Sequence, residues 1–201
     1  MPALFFLRGG SYLDFTFRYT AATELMRKAS AILGSIFFLL LAPGVVAGYV
    51  PWWILHGQMG APLLGISAFR LLGVSLIIAG VPMVLDSFAR FAIQGIGTPA
   101  PVFPTKHLVV TGLYRHVRNP MYVGVIAIIA GQGLLFGSLR VLAYGALVWL
   151  AFHLFVRGYE EPKLTKTFGE EYREFCRNVP RWVPRVRAWR SNRGRERQSF
   201  S

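Results

Sequence analysis

Apolar residues in this chain fall into long blocks rather than at the spacing of a soluble amphipathic helix. No charged residue occurs between Ala29 and Phe69, and that stretch holds a first apolar segment at residues 31–50. A second covers residues 67–93, with its apolar centre at 71–85, Pro82 inside it, and Asp86 and Arg90 near its end. A third starts at Asn119-Pro120 and reaches about Phe136. Gly137-Ser138 then turns into a fourth, residues 139–156, and a turn that short makes the last two antiparallel. These segments lie near the ~20 residues that cross a bilayer. The pattern predicts an all-α, polytopic transmembrane bundle of about four spans.

The remaining stretches are of other kinds. Pro43-Gly44 is expected to kink the first span, which membrane helices tolerate. Pro51-Trp52-Trp53 sits where an interfacial aromatic belt belongs. Residues 94–117 are too polar and too broken by Gly and Pro to span. Further on, Leu164, Phe168, Tyr172 and Phe175 recur at helical spacing, with Lys163, Lys166, Glu170, Arg173, Glu174 and Arg177 mostly between them. That predicts an amphipathic helix lying on the membrane or closing over the bundle. Beyond Pro184 the chain is rich in Arg, Ser and Asn without periodicity, and a disordered basic tail is expected over residues 185–201. The chain thus divides into an N-terminal segment (1–28), two spans (29–93), a core of loop, hairpin and C-terminal helix (94–184), and the tail.

Composition sharpens the membrane reading. Of 201 residues 54% are hydrophobic and only 15% charged, where a soluble domain carries about 25% charge. The net charge is +13, and 12 of the 22 Lys and Arg residues lie from Arg157 onward. No nucleic-acid motif accompanies them, so anionic lipid head groups are the expected partner. Basic residues precede the first span, fill the loop between the second and third, and follow the fourth. The positive-inside rule therefore puts both termini and that loop in the cytoplasm. The single Cys176 excludes an internal disulfide or a CxxC site, and the first 28 residues lack the apolar core of a signal peptide.

Candidate chemistry gathers at the predicted cytoplasmic ends. Asn119-Pro120 is a helix start, with Asn favoured as N-cap and Pro at the first helical position. Its free N–H groups suit a carboxylate, and Arg118 adds a forked donor. Glu160 and Glu161, just past the fourth span, run against the basic trend. They either favour the next helix through its dipole or turn one carboxylate toward ribose hydroxyls or a cationic ligand such as a sulfonium. The loop offers Gly95-Ile96-Gly97, a weak signal alone, and His107 and His116. No metal-binding spacing involves these histidines, so no metal is expected. His153, within the fourth span, reads as a hydrogen-bonded bundle residue, and Asp86 likewise.

Together the run GIGTPAPVFPTKHLVVTGLYRHVRNPMYVG and the later EEPKLTKTFGEEYREFCRNVPRWVP resemble the isoprenylcysteine carboxyl methyltransferase family, itself related to the membrane phospholipid N-methyltransferases. The resemblance covers Gly95 to Pro184. It implies an S-adenosylmethionine site among the last two spans, the loop and the C-terminal helix, and a lipophilic or prenylated substrate. Carried over residue by residue, it implies cofactor contacts from Gly95, Gly97, Lys106, His107, Leu108, Val109, Tyr114, Arg118, Asn119, Pro120, Met121, Tyr122 and Glu160. Glu160, Glu161 and Arg157 are the expected catalytic residues, Arg157 lying near a substrate-contacting arginine of the family.

One position departs from the family. Its usual Arg-His-Pro has Asn119 in place of His, and an amide cannot act as a base. Any scheme using a base there is excluded. A phospholipid N-methyltransferase, an NADPH-dependent membrane reductase and a non-enzymatic membrane scaffold remain as alternatives. The acceptor group and the oligomeric state are not encoded legibly.

Overall fold

The computed structural model describes residues 43–93, 108 and 110–190. Residues 31–42 of the first predicted span lie outside them, as do Gly95, Gly97, Lys106, His107 and Val109. All regular structure among the described residues is helical. Helix α1 covers Val45–Leu55, α2 Ala68–Ile93, α3 Pro120–Leu135, α4 Leu139–Phe155 and α5 Glu161–Asn178. The ends of α2, α3 and α4 fall within a residue of the sequence expectation.

Helix α2 and the continuous rod that begins with α4 (Leu139–Asn178) are long and apolar enough to cross a membrane, and most of each apolar stretch faces outward. Leu71, Ile78 and Leu85 make one exposed stripe at seven-residue spacing, and Leu147, Leu150 and Leu154 another. Exposed leucine at that density is the mark of a surface in contact with lipid. The chain is an integral membrane protein.

Without water to exclude, packing inside a bilayer relies on close backbone approach. Gly73 of α2 abuts the Gly131 carbonyl of α3, and Gly80 abuts the Gly124 carbonyl, with a built Cβ only 2.6 Å and 2.7 Å away. Both pairs sum to the same residue total, so the helices run antiparallel with glycines seven apart on each. Around this seam Val84, Phe88, Val125, Ile129 and Val141 are buried with Ala47. Gly145 lets α4 approach Ile129.

Helix α1 is a π turn, Val45–Tyr49, running into an α-helical turn, Val50–Leu55. A kink from Pro43 would fall on the residues before it, outside the described ones; Gly44 itself is helical, with φ −64° and ψ −42°. Pro51 is the cause of the π turn. It has no N–H for the Ala47 carbonyl four residues back, while the Val50 N–H reaches five residues back to Val45. The carbonyls of Val46 and Ala47 are left over, and other helices satisfy them. Tyr144 donates to Val46 O at 2.9 Å and Gln132 to Ala47 O at 2.7 Å. A second π turn, Val156–Glu160, stands in the same relation to Pro162 and joins α4 to α5 without a break in the rod.

The C-terminal helix packs on residues before α3 and on the chain that follows it. Tyr172, Phe175 and Val179 are buried, with Leu164, Phe168, Leu108, Val110, Cys176 and Trp189 around them. Gly169, at φ +53°, interrupts the helix, a break that the amphipathic spacing conceals. The expected tail also needs correction at its start, because residues 185–190 return to the molecule. Arg185 N–H donates to His116 O and Trp189 N–H to Arg115 O, each at 2.9 Å, and Trp189 stacks obliquely on Phe175.

Candidate functional site

The loops 56–67 and 136–138 meet at one end of the bundle, where the Gly60 N–H donates to Phe136 O. The polar candidates gather at the other end, and there the structure sorts them into two neighbouring groups.

The first group forms around Glu160. Tyr122, in the first turn of α3, donates its hydroxyl to Glu160 Oε2 at 3.2 Å, and its ring packs on Phe152 of α4. Tyr114 comes from the 3-10 turn Gly112–Arg115 and is hydrogen-bonded to Ser87 of α2, close enough for the Glu160 charge to act on its hydroxyl. Burial holds the Tyr114 phenol well above its ordinary range, so it stays a neutral donor at physiological pH. Just past α4, burial also raises the Glu160 carboxyl, partly offset by the Tyr122 hydrogen bond, with the neighbouring Glu161 charge adding to the rise. No cation faces Glu160 among the described residues.

The turn carrying Tyr114 is pinned from α2. Arg90 makes a fork with Asp86, through Nε at 2.7 Å and Nη2 at 2.8 Å, and donates to Thr111 Oγ1 at 3.3 Å. Gly112 has φ +52°, and the Arg90 guanidinium stands where its Cβ would be. Only glycine fits there, on both counts.

The second group forms around Glu161. Arg181 approaches its carboxylate in a fork, at 2.7 Å and 2.8 Å, and Arg118 Nη1 donates to the same carboxylate at 2.9 Å. Arg118 also donates to Cys176 Sγ, and its backbone N–H to Pro180 O. Asn119, buried, donates to Arg181 O at 3.2 Å. It occupies the N-cap position of α3 without capping it, which corrects the expectation for its side chain. Arg118 is likewise tied to Glu161, through Nη1 alone, instead of standing free.

The remaining candidates are placed as follows. Pro120 is buried at the first position of α3 and Met121 packs on the main core. Leu108 belongs to the cluster under α5. Arg157 is exposed on the π turn. His153 has the bonded role read from the sequence, accepting the Trp182 indole N–H at 3.2 Å. No group of three or more His, Cys, Asp or Glu able to hold a metal occurs among the described residues. Sequence reasoning missed Ser87, Arg90 as a partner of the loop, and Arg181. Nothing in the local spacing links Glu161 to an arginine 20 residues on.

A family model described as phospholipid methyltransferase matches residues 68–171. That is just over half of the chain. The chain belongs to the phospholipid methyltransferase family. The match begins with α2, so the membership takes in a helix that the sequence resemblance left out. Among curated relatives, a protein-S-isoprenylcysteine O-methyltransferase of Schizosaccharomyces pombe is 33% identical over 82 residues, 40% of this chain and 34% of the relative. Protein-S-isoprenylcysteine O-methyltransferases B and A of Arabidopsis thaliana are each 35% identical over 80 residues, 39% of this chain and 40% of the relative. The aligned part thus spans little more than a third of each relative. No solved structure matches the chain. The two neighbouring glutamates are thus held differently, Glu160 by the Tyr122 hydroxyl and Glu161 by the guanidiniums of Arg118 and Arg181.

Proposed function

We propose that this protein is a multi-pass membrane methyltransferase that takes the methyl group of S-adenosylmethionine to a lipophilic acceptor, with both termini and the Glu160 end of the bundle in the cytoplasm. The observation that carries the reading is Glu160, a desolvated carboxylate held by one tyrosine hydroxyl and paired with no cation among the described residues. The family and the names of the relatives support it.

The residues fit the cofactor by their donor set. Glu160 suits the sulfonium charge or ribose hydroxyls, and Tyr114 offers a neutral hydroxyl beside it. The uncapped start of α3 presents the Met121 and Tyr122 N–H groups to a carboxylate. From the resemblance, Gly95, Gly97 and the segment Lys106 to Val109 complete the enclosure. When bound, S-adenosylmethionine supplies a methyl group already activated for in-line displacement. The protein's task is alignment and exclusion of water. Tyr122 fixes the Glu160 rotamer. The Arg118–Glu161–Arg181 cluster positions α5 and the chain after it. Arg157, exposed near the membrane, is assigned to the acceptor.

An oxygen acceptor such as an isoprenylcysteine carboxylate is ionised at neutral pH and needs no base. The second reading, N-methylation of a phospholipid amine, is favoured by one observation: the raised Glu160 carboxyl is suited to take a proton from an ammonium. Methyl-labelled cofactor offered with prenylcysteine or with phosphatidylethanolamine distinguishes the two by which product carries label. Purified protein is expected to bind S-adenosylmethionine, and Glu160→Ala to weaken binding at least tenfold. Unchanged affinity in a normally folded Glu160→Ala variant would refute the site.

A further inference from the structure

The chain after α5 carries an exposed apolar pair that no helix covers. It begins buried, at Val179, with Pro180 O accepting from the Arg118 N–H just before α3. Trp182 then reaches the outside of α4. Its ring lies 6.1 Å from His153 and 6.4 Å from Trp149, and its N–H is bonded to His153. Trp149 lies on α4 between Leu147 and Leu150, residues exposed to lipid. Trp182 is therefore held at the rim of the bilayer, and the residues that follow it cannot be far from head groups. Val183 is 74% exposed and Val186 96%. Arg187 and Arg190 are exposed and make no ion pair among the described residues. Backbone bonds at Arg185 and Trp189 keep this stretch against the 115–116 turn, so its exposure is fixed by the fold. An indole at the interface, two free aliphatic side chains and two free guanidiniums in nine residues make an interfacial composition.

We propose that residues 182–190 form a fixed membrane-surface wedge, in which Val183 and Val186 enter the acyl boundary and Arg187 and Arg190 bind the phosphates of anionic phospholipid. The proposal rests on α4 being a span and is independent of methyl transfer. The wedge would tie the C-terminal side of the Glu161 cluster to the bilayer.

The test uses the full chain in nanodiscs of equal phosphatidylcholine and phosphatidylglycerol, with the photocrosslinker benzoylphenylalanine in place of Val183, Val186 or, as a lipid-facing reference, Leu150. Mass spectrometry is expected to find phospholipid adducts at all three. At Val186 phosphatidylglycerol adducts should exceed phosphatidylcholine by several-fold, and Arg187→Gln with Arg190→Gln should bring the ratio to that of the bilayer, each arginine contributing about fivefold at most. Adducts at Leu150 with none at Val183 and Val186 would overturn the wedge. Adducts at Val186 with no phosphatidylglycerol excess would overturn the phosphate contacts. No adduct at Leu150 would overturn the span on which the proposal stands, leaving the methyltransferase reading to the binding experiment.

Discussion

Glu160 titrates in opposite senses for stability and for ligand binding. Its carboxyl is raised in the folded protein, chiefly by burial, so the folded state holds its proton to higher pH than the unfolded chain does. The corresponding stability is present below the ordinary glutamate value of about 4.3 and is lost as pH rises through the folded value. Binding of a sulfonium needs the carboxylate, and so strengthens over the same window. Without ligand, the melting temperature should fall as pH rises through that window. The affinity for S-adenosylmethionine should climb across it and then level off. Glu160→Gln should flatten both curves, and a pH-dependent affinity surviving in that variant would exclude Glu160 as the titrating group. The sequence made both glutamates visible because acids there oppose the basic trend. It did not show which one arginines neutralise. That depends on Arg181 and Tyr122, residues distant in the chain that the fold brings to opposite sides of one peptide bond.

Both π turns precede a proline by one residue, and each consists of five residues ending just before that interval. At the level of elements this is a single device: the proline removes a donor, the helix widens, and carbonyls are released. In α1 the released groups are met by Gln132 and Tyr144. Leaving a buried carbonyl without its donor costs about 1–3 kcal/mol in mutational data, and about 0.6 kcal/mol on average inside membranes. Gln132→Leu should therefore destabilise by about 1 kcal/mol. Pro51→Ala restores a backbone donor for Ala47 O, and in that background the cost of Gln132→Leu should shrink, as unfolding in denaturing detergent can measure. Equal costs in both backgrounds would show that the Gln132 bond is not compensating for the proline. The helix limits were legible because Asn119-Pro120, Gly137-Ser138 and long apolar runs are local signals. The widened turns were not, since a proline within an apolar run equally signals a simple kink. Gly169 was hidden for a similar reason: its neighbours keep helical spacing on either side of it.

The glycine seam between α2 and α3 holds the bundle together on the scale of the whole molecule, with the Ser87–Tyr114 contact at one end of α2 and the loop junction at the other. At Gly80 a methyl group would meet the backbone of Gly124, which no side-chain rotation relieves. Gly80→Leu should destabilise by about 1–3 kcal/mol or more. Gly48→Ala, with nothing within 4 Å of its Cβ, should be neutral or mildly stabilising. Thermal unfolding of the two variants checks this, and a tolerated Gly80→Leu would mean that the helices are not in such close contact. The seam was present in the sequence as two glycine pairs, each seven residues apart, but only the antiparallel register gives that coincidence a meaning.

The bridge from Arg118 through Glu161 to Arg181 has a consequence for the order in which the protein is made. Its three members emerge from the ribosome in that order, and the last appears after every hydrophobic helix described here has been synthesised. A nascent chain can thus be inserted in the lipid and still lack its third anchor, so the Glu160 side becomes fully braced only once Arg181 has followed the helices out of the ribosome.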